Sequence, residues 1–509
     1  MTDSLMNSEG IKSTASSQTG LHAISAWLDA PPPLNTTDDL LPLLSHLATL
    51  RASQVTPEQR ASVLERLYTR SISVLTTLLP ALSSVALPIP ITRKTRQLIR
   101  SLQNLLRMLA EDLLAAQKSD DGEQAYHGLG QAADLPLWRS LYALAQHLLI
   151  SNLAASPAGI GIWQQLHQTY AIARRLDLVC HTPDGASDTL QNIYFSAILL
   201  ACAQPASFTS REVDFVAAYL ERFADRIDST TTTSSKSPAM FWVDPARDAA
   251  AFACSRKSAP PETSVLYFSC ARLAALLRKQ LAALEAGEQP RQINLPDFAG
   301  TPAGRGVLRR LITYWGEPGK RRFPRRRQNY RSVLCVGLDS LWRLFQEGDE
   351  AGIETSSWMI TNESPDGYAV MHVSGKTGWM SVGDVTAMRT ESGENWQICI
   401  VRWALSENQE HIELGLQIMA TRAVPAFLAQ PTEVSNGARL SVLILPEIQA
   451  LRATEMLVVP SGALENNPGK LILVVEKENI EIREMKSIHL DEQNSQIEVF
   501  SIEPDSLSV

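Results

Sequence analysis

The 509-residue chain has only six cysteines: Cys180, Cys202, Cys254, Cys270, Cys335 and Cys399. No two form a C-x-x-C pair, so neither a zinc cage nor a disulfide framework is indicated. Long apolar runs are missing too. None reaches the ~18 residues that would suggest a membrane span. The opening MTDSLMNSEGIKSTASSQTG lacks a basic start and an apolar core, so it does not read as a secretory signal. A cytoplasmic protein is the resulting expectation. The nine histidines are scattered. None stands at metal-ligand spacing from a carboxylate or another histidine, and H-E-x-x-H is absent, so no metal is expected. No nucleophile and base stand together, so no enzyme and no cofactor are expected. Gly128-Leu129-Gly130-Gln131-Ala132-Ala133 imitates a dinucleotide loop, but no strand precedes it. Gly375-Lys376-Thr377 imitates the end of a phosphate-binding loop, but Val370 stands where that motif needs glycine, which leaves a hairpin turn.

What is present is an ordinary globular balance, 45% hydrophobic and 20% charged. That excludes a largely disordered chain. The length suggests about three domains. Net charge is -8, yet Arg305 to Arg331 holds ten basic residues and one acid, a local +9 against -17 elsewhere. An arbitrary basic run is most simply a solvated surface segment.

Residues 1–25 are polar and Ser/Thr-rich and read as a disordered tail. From residue 26 to 228 the pattern is helical, with about seven helices. Leu98, Leu102, Leu105, Leu106, Leu109 and Leu113 repeat at three-to-four spacing. Thr56-Pro57-Glu58 opens one helix, with a cap residue and then proline at the first helical position. Thr209 with Glu212 three residues on reads as a capping box, with Phe208 and Val213 placed as a hydrophobic staple. Residues 229–310 begin with STTTTSSKS and read as a linker and small α/β connection. From 311 to 425 short apolar or alternating segments predict a small antiparallel barrel, with Trp342, Trp358, Trp396 and Trp403 in its core. Asp339–Phe345 reads as a helix inserted into it. Residues 426–509 carry more strand signals, a C-terminal β extension. The fold class expected is α+β multidomain: an all-α N-terminal half, an antiparallel β-barrel and an additional C-terminal β unit.

Two motifs lie in order at the barrel's start. Lys320-Arg321-Arg322-Phe323-Pro324-Arg325-Arg326-Arg327 contains R-x-x-x-R as Arg321/Arg325, and the same spacing occurs as Arg322/Arg326 and Arg327/Arg331. Asn362-Glu363-Ser364-Pro365-Asp366-Gly367 is an N-x-S-x-x-G. Together with Val382-Gly383-Asp384, Val401-Arg402-Trp403 and Leu414-Gly415-Leu416, they resemble the PilZ domain over about Tyr314 to Pro425. That resemblance implies binding of cyclic di-GMP. It implies ligand contacts from Arg321, Arg325, Asn362, Ser364 and Gly367, with Arg322 and Arg326 as the other register.

The residue types suit such a ligand. Arginine is always charged and presents a planar fork that fits phosphate oxygens or a guanine edge. Glycine at 367 would allow a backbone conformation that a Cβ forbids. Departures from the family pattern are a long gap from Arg325 to Asn362 and asparagine where aspartate is commoner. The G-G-D-E-F and E-A-L strings of the enzymes that make and degrade this nucleotide are absent. The expectation is a bacterial second-messenger receptor that passes ligand binding through its helical domain to a protein partner. Two alternatives stand beside it. One is a degenerate PilZ scaffold for protein–protein interaction. The other is a nucleic-acid binder using residues 305–331, with affinity that falls steeply with salt.

Overall fold

The computed structural model describes residues 18–84, 87–115, 133–230, 238–261, 265–319, 323–347, 352–378, 380–408, 410–429, 439–447, 454–464, 470–476 and 479–505. They fall into two units. One lies within residues 1–85, 93–202 and 220–270, the other within 86–92, 203–219 and 271–509.

The first unit opens with a helix over residues 18–29 (α1). A tail ending at residue 25 is therefore drawn too long. Leu21, Ile24 and Leu28 share one helical face, and Ile24 is fully buried. Then come α2 (Leu40–Ala52), α3 (Pro57–Ser83), α4 (Arg93–Ala115), α5 (Asp134–Leu153), α6 (Ile162–Arg175) and α7 (Leu190–Cys202). The stripe on α4 is core, with Leu102, Leu105, Leu106, Leu109 and Leu113 all buried. The start of α3 follows its local signal. The Thr56 hydroxyl accepts from the Gln59 N–H at 3.3 Å, and the Gln59 side chain accepts from the Thr56 N–H at 3.3 Å. The imitation dinucleotide loop at Gly128 to Ala132 lies outside the described residues.

A four-stranded sheet belongs to this unit: β1 (Asp228–Thr230), β2 (Met240–Val243), β3 (Phe252–Ala253) and β4 (Leu266–Ser269), in the order β1-β4-β2-β3. The linker expected from residue 229 thus starts inside a strand, since Ser229 pairs with Phe268. Phe268 is fully buried, with its ring 5.4 Å from Phe195 of α7. Burial of such rings ties the sheet to the helices, a long-range effect that a Ser/Thr run cannot announce.

The helix α8 (Ser210–Phe223) begins in the second unit. Its capping box forms as its sequence predicts: Glu212 accepts from the Thr209 N–H at 2.9 Å, and the Thr209 hydroxyl accepts from the Glu212 N–H at 3.3 Å. After α9 (Ala271–Glu285) and α10 (Pro302–Leu311) come two barrels in succession. The first is β5 (Arg326–Val336), β6 (Thr355–Ser364), β7 (Gly367–Gly375), β8 (Val385–Thr390), β9 (Gln397–Ser406) and β10 (Ile412–Ala420), closed in the order β10-β7-β6-β5-β8-β9. Gly375 ends β7 at φ +92°, but β7 pairs with β6 and β10 and never with β8, so the hairpin turn expected there is instead a crossing loop.

The second barrel is β11 (Val424–Ala429), β12 (Leu440–Leu445), β13 (Glu455–Pro460), β14 (Lys470–Glu476), β15 (Ile480–Gln493) and β16 (Ile497–Pro504), in the order β11-β12-β13-β16-β15-β14. The C-terminal extension is therefore a closed barrel of its own, and it starts at Val424 rather than 426. The helix α11 (Leu338–Glu347) connects β5 to β6. Its Leu341 and Leu344 pack with Val385, Ile398 and Ile400 of the first barrel and Leu443, Val458 and Val499 of the second. Among the described residues no helix is long and apolar enough to cross a membrane, and no cluster of His, Cys, Asp and Glu could hold a metal ion.

Candidate functional site

Strand pairing brings the arginine segment beside the N-x-S motif. Arg327 stands opposite Asn362, and Arg326 opposite Glu363. Residues directly opposite on an antiparallel pair share a face. Two irregularities decide which face. At the register shift between Ile360 and Asn362, two β6 steps match one step of β7. Ile360 is fully buried inside the barrel. By plain alternation Asn362 would point inward with it, but the bulge turns Asn362 and Ser364 outward and Glu363 inward. Asn362 and Ser364 are both half-buried. Arg327 and, two residues earlier, Arg325 project to their side, and both are exposed.

The inserted helix does not disturb this. It joins the far ends of β5 and β6, at Val336 and Thr355, while the motifs sit at the opposite ends. β5 has 11 residues, which places the helix roughly 33 Å from Arg326. The long gap from Arg325 to Asn362 is thus two long strands and a remote helix.

Each named residue has a definite place. Arg321 and Arg322 lie outside the described residues. Arg325 immediately precedes β5, and Arg326 is the first residue of that strand, on the Glu363 side rather than the Asn362 side. The Asn362 side-chain amide has no hydrogen bond among the described residues. Ser364 Oγ lies 2.7 Å from Asp366 Oδ1 and 3.1 Å from the Gly367 carbonyl, and its single proton goes to one of them. That leaves the hydroxyl only as an acceptor toward the outside, suited to a guanine N–H and not to a phosphate oxygen. The reason for glycine at 367 differs from the one its sequence suggested. Its backbone is not left-handed; instead a Cβ would lie 2.1 Å from the Leu416 carbonyl oxygen and 3.2 Å from Gln417 Cα. β10 approaches too closely for any side chain.

Residues 343–425 match the family described as cyclic-di-GMP receptor FimW, middle PilZ domain. The chain is a PilZ-domain protein. Residues 22–233 match the N-terminal domain described for the same receptor, so the helical half and the PilZ barrel have counterparts in one protein. A curated relative, the cyclic-di-GMP receptor FimW of Pseudomonas aeruginosa, is 23% identical over 455 residues, covering 72% of each chain. The PilZ match includes Asn362, Ser364 and Gly367 and begins after the arginine segment.

Inside the PilZ barrel's mouth is a carboxylate the sequence reasoning missed. Glu363 Oε2 accepts from Gln328 Nε2 at 2.9 Å and from the Tyr330 hydroxyl at 3.1 Å. Burial first, and then the Glu363 charge, push the Tyr330 phenol well above its usual pKa, so it stays a donor. Both partners come from the irregular stretch of β5 between Arg327 and Tyr330, so Glu363 pins the segment that projects the arginines. Arg327 was visible beforehand only as one member of an alternative R-x-x-x-R spacing.

The tryptophans divide. Trp358 is fully buried in the PilZ barrel. Trp342 donates to the Ala426 carbonyl at 2.9 Å and lies tilted against the Phe427 ring, with 4.7 Å between centroids, and so faces the second barrel. Trp396 is partly buried, with the Arg389 guanidinium 4.7 Å from its ring. Trp403 lies on the outer face and not in the core, because its indole occupies the space over Gly415.

Part of the basic run is already paired. Arg309 pairs with Glu285 at 2.9 Å and Arg310 with Glu212 at 2.8 Å, so two of its charges are neutralised within α10's surroundings. This removes support from a continuous phosphate-binding surface over residues 305–331.

Proposed function

We infer that this protein is a cyclic di-GMP receptor whose ligand lies on the outer face of the PilZ barrel, across the β5–β6 edge. Arg325 and Arg327 meet the phosphates or a guanine edge with their forks, and Arg321 and Arg322, just upstream on the same segment, add further cations. Asn362 offers both a donor and an acceptor to a guanine, Ser364 an acceptor, and Gly367 keeps the motif's turn against β10. Arg326, on the Glu363 side, is the less suited of the neighbouring arginines. The observation that carries this reading is the pairing of Arg327 with Asn362. Binding is the activity, in the cytoplasm, and no chemistry follows. The FimW-like helical unit passes the bound state to a protein partner.

Isothermal titration tests it. The intact chain should bind cyclic di-GMP and not GTP. Arg325→Ala/Arg327→Ala should weaken binding at least tenfold, since a charge-assisted hydrogen bond contributes roughly 1.5–3 kcal/mol. Absence of binding by the intact chain would leave a PilZ scaffold that has lost its ligand.

A further inference from the structure

The second barrel repeats the strand order of the first. Numbered from its own first strand, the PilZ barrel runs 6-3-2-1-4-5 around its circumference, and so does the second barrel when read from β16 through β13. The fourth and fifth strands therefore correspond: β8 and β9 in the first barrel, β14 and β15 in the second. In the first, Val385 stands opposite Ile400 and Ala387 opposite Ile398, which puts four apolar side chains on one face. The second barrel covers that face with Leu443, Leu445 and Val458.

The corresponding face on β14 and β15 is also apolar, but it is exposed. Leu471, Leu473 and Val475 are buried in the second barrel's core. Ile472 and Val474 alternate with them and so point outward. Ile482 stands opposite Val474, and Ile480, two residues earlier on β15, lies on the same side. Ile480 is 71% exposed and Ile482 66%. A single exposed isoleucine is ordinary, whereas a contiguous set marks a contact surface.

The charges around these residues decide what fits. Lys470 pairs with Glu484 at 2.7 Å, Lys486 with Glu503 at 2.6 Å and Arg439 with Glu476 at 2.5 Å. These pairs leave no surplus of either sign to draw a nucleic acid, an anionic membrane or a charged peptide. Nor do they repel an identical face. The face that covers β8 and β9 is already occupied within the chain, so what a second copy has to offer is its own β14–β15 face.

We propose that β14 and β15 form a self-association surface through which two copies of this chain join face to face. Like meeting like is an isologous contact, which closes on a two-fold axis and stops at two chains. β14 has 7 residues, so at about 3.3 Å each the face is only roughly 23 Å long. That is at the small end for paired proteins, so the pairing should be weak, with Kd of roughly micromolar size. The pair carries two PilZ barrels and two helical units, so a partner with repeated sites is held by both at once. None of this depends on the receptor reading.

Analytical ultracentrifugation of the full chain, over about 1 to 100 μM, tests it. The unmodified protein should pass from one chain to two across that range. Ile480→Asp/Ile482→Asp sets like charges against each other across the two-fold contact and should stay a single chain throughout, a loss of at least about tenfold in association. Its melting midpoint should hold, because both side chains are exposed. Ile472→Lys/Ile482→Lys, of opposite charge, should do the same and serves if the aspartate variant folds poorly. A single chain at about 100 μM in the unmodified protein would overturn the surface, as would dimers that survive in both variants. Species larger than two chains would overturn the closed face-to-face arrangement.

Discussion

Gly367→Ala probes the motif's geometry most directly. The added methyl would lie 2.1 Å from the Leu416 carbonyl oxygen, 3.1 Å from its carbonyl carbon and 3.2 Å from Gln417 Cα. All three are backbone atoms inside a closed barrel, so no side chain can swing aside. β7 and β10 must part by roughly 1 Å. That breaks the Gly367–Gln417 pairing and strains the Ile418 N–H bond to the Asp366 carbonyl, now 2.9 Å. One or two ladder hydrogen bonds at about 1 kcal/mol each, plus loosened packing of buried Tyr368 and Leu416, come to about 3 kcal/mol. For a unit of this size that is a fall of about 6–12 °C in melting midpoint. The assay is thermal denaturation followed by circular dichroism, with and without cyclic di-GMP, beside Gly319→Ala. Among the described residues a Cβ on Gly319 would meet only the Glu317 carbonyl oxygen, at 4.0 Å, so that variant should be close to neutral. Gly367→Ala should also lose most ligand binding. A midpoint within about 1 °C of the unmodified protein would refute the close-approach argument.

Two further outcomes follow from single groups. Burial pushes the Asp384 carboxyl up to about 6, against a hydrogen bond from the Ser381 N–H at 2.7 Å that favours its charged form. The folded state therefore holds this proton more tightly than the unfolded chain, so the contribution to stability is present below about pH 4 and is lost as pH rises to about 6. Asp384→Asn, which can still accept from Ser381, should stabilise by about 2 kcal/mol at pH 7.5 and change nothing at pH 4; urea midpoints at the two pH values decide, and equal effects at both would sink the idea. Arg310→Ala strips the partner from Glu212, whose side chain is 1% exposed, and should cost about 3–5 kcal/mol in a denaturant titration. Adding Glu212→Gln to that variant should recover part of the loss, because it removes the stranded charge, and no recovery would mean the pair's charge is immaterial.

Local signals in the chain proved readable where the chemistry is local. The cap and proline at Thr56-Pro57 need only adjacent residues, the capping box at Thr209 only residues three apart, and the stripe on α4 only its own periodicity. The strands of both barrels carry their alternation in short apolar segments, although β11 was hidden by Pro425 and its shortness. The N-x-S-x-x-G motif and the arginine run are likewise strings, and together they were enough to point to a PilZ barrel.

What the string could not contain is partnership between distant residues. Which arginine faces Asn362 depends on how β5 pairs with β6. The outward turn of Asn362 depends on an extra residue in β6 relative to β7. The need for glycine at 367 and 415 comes from β10 and from an indole on β9, approaches invisible along the chain. Closure of the C-terminal strands into a second barrel, and capture of the strands β1 to β4 by the helical unit, are likewise decided by long-range pairing and burial. Periodicity says that a residue has a face. Only the tertiary structure says what lies against it, because in a barrel the neighbours that exclude water and set side-chain direction come from strands far away in the sequence.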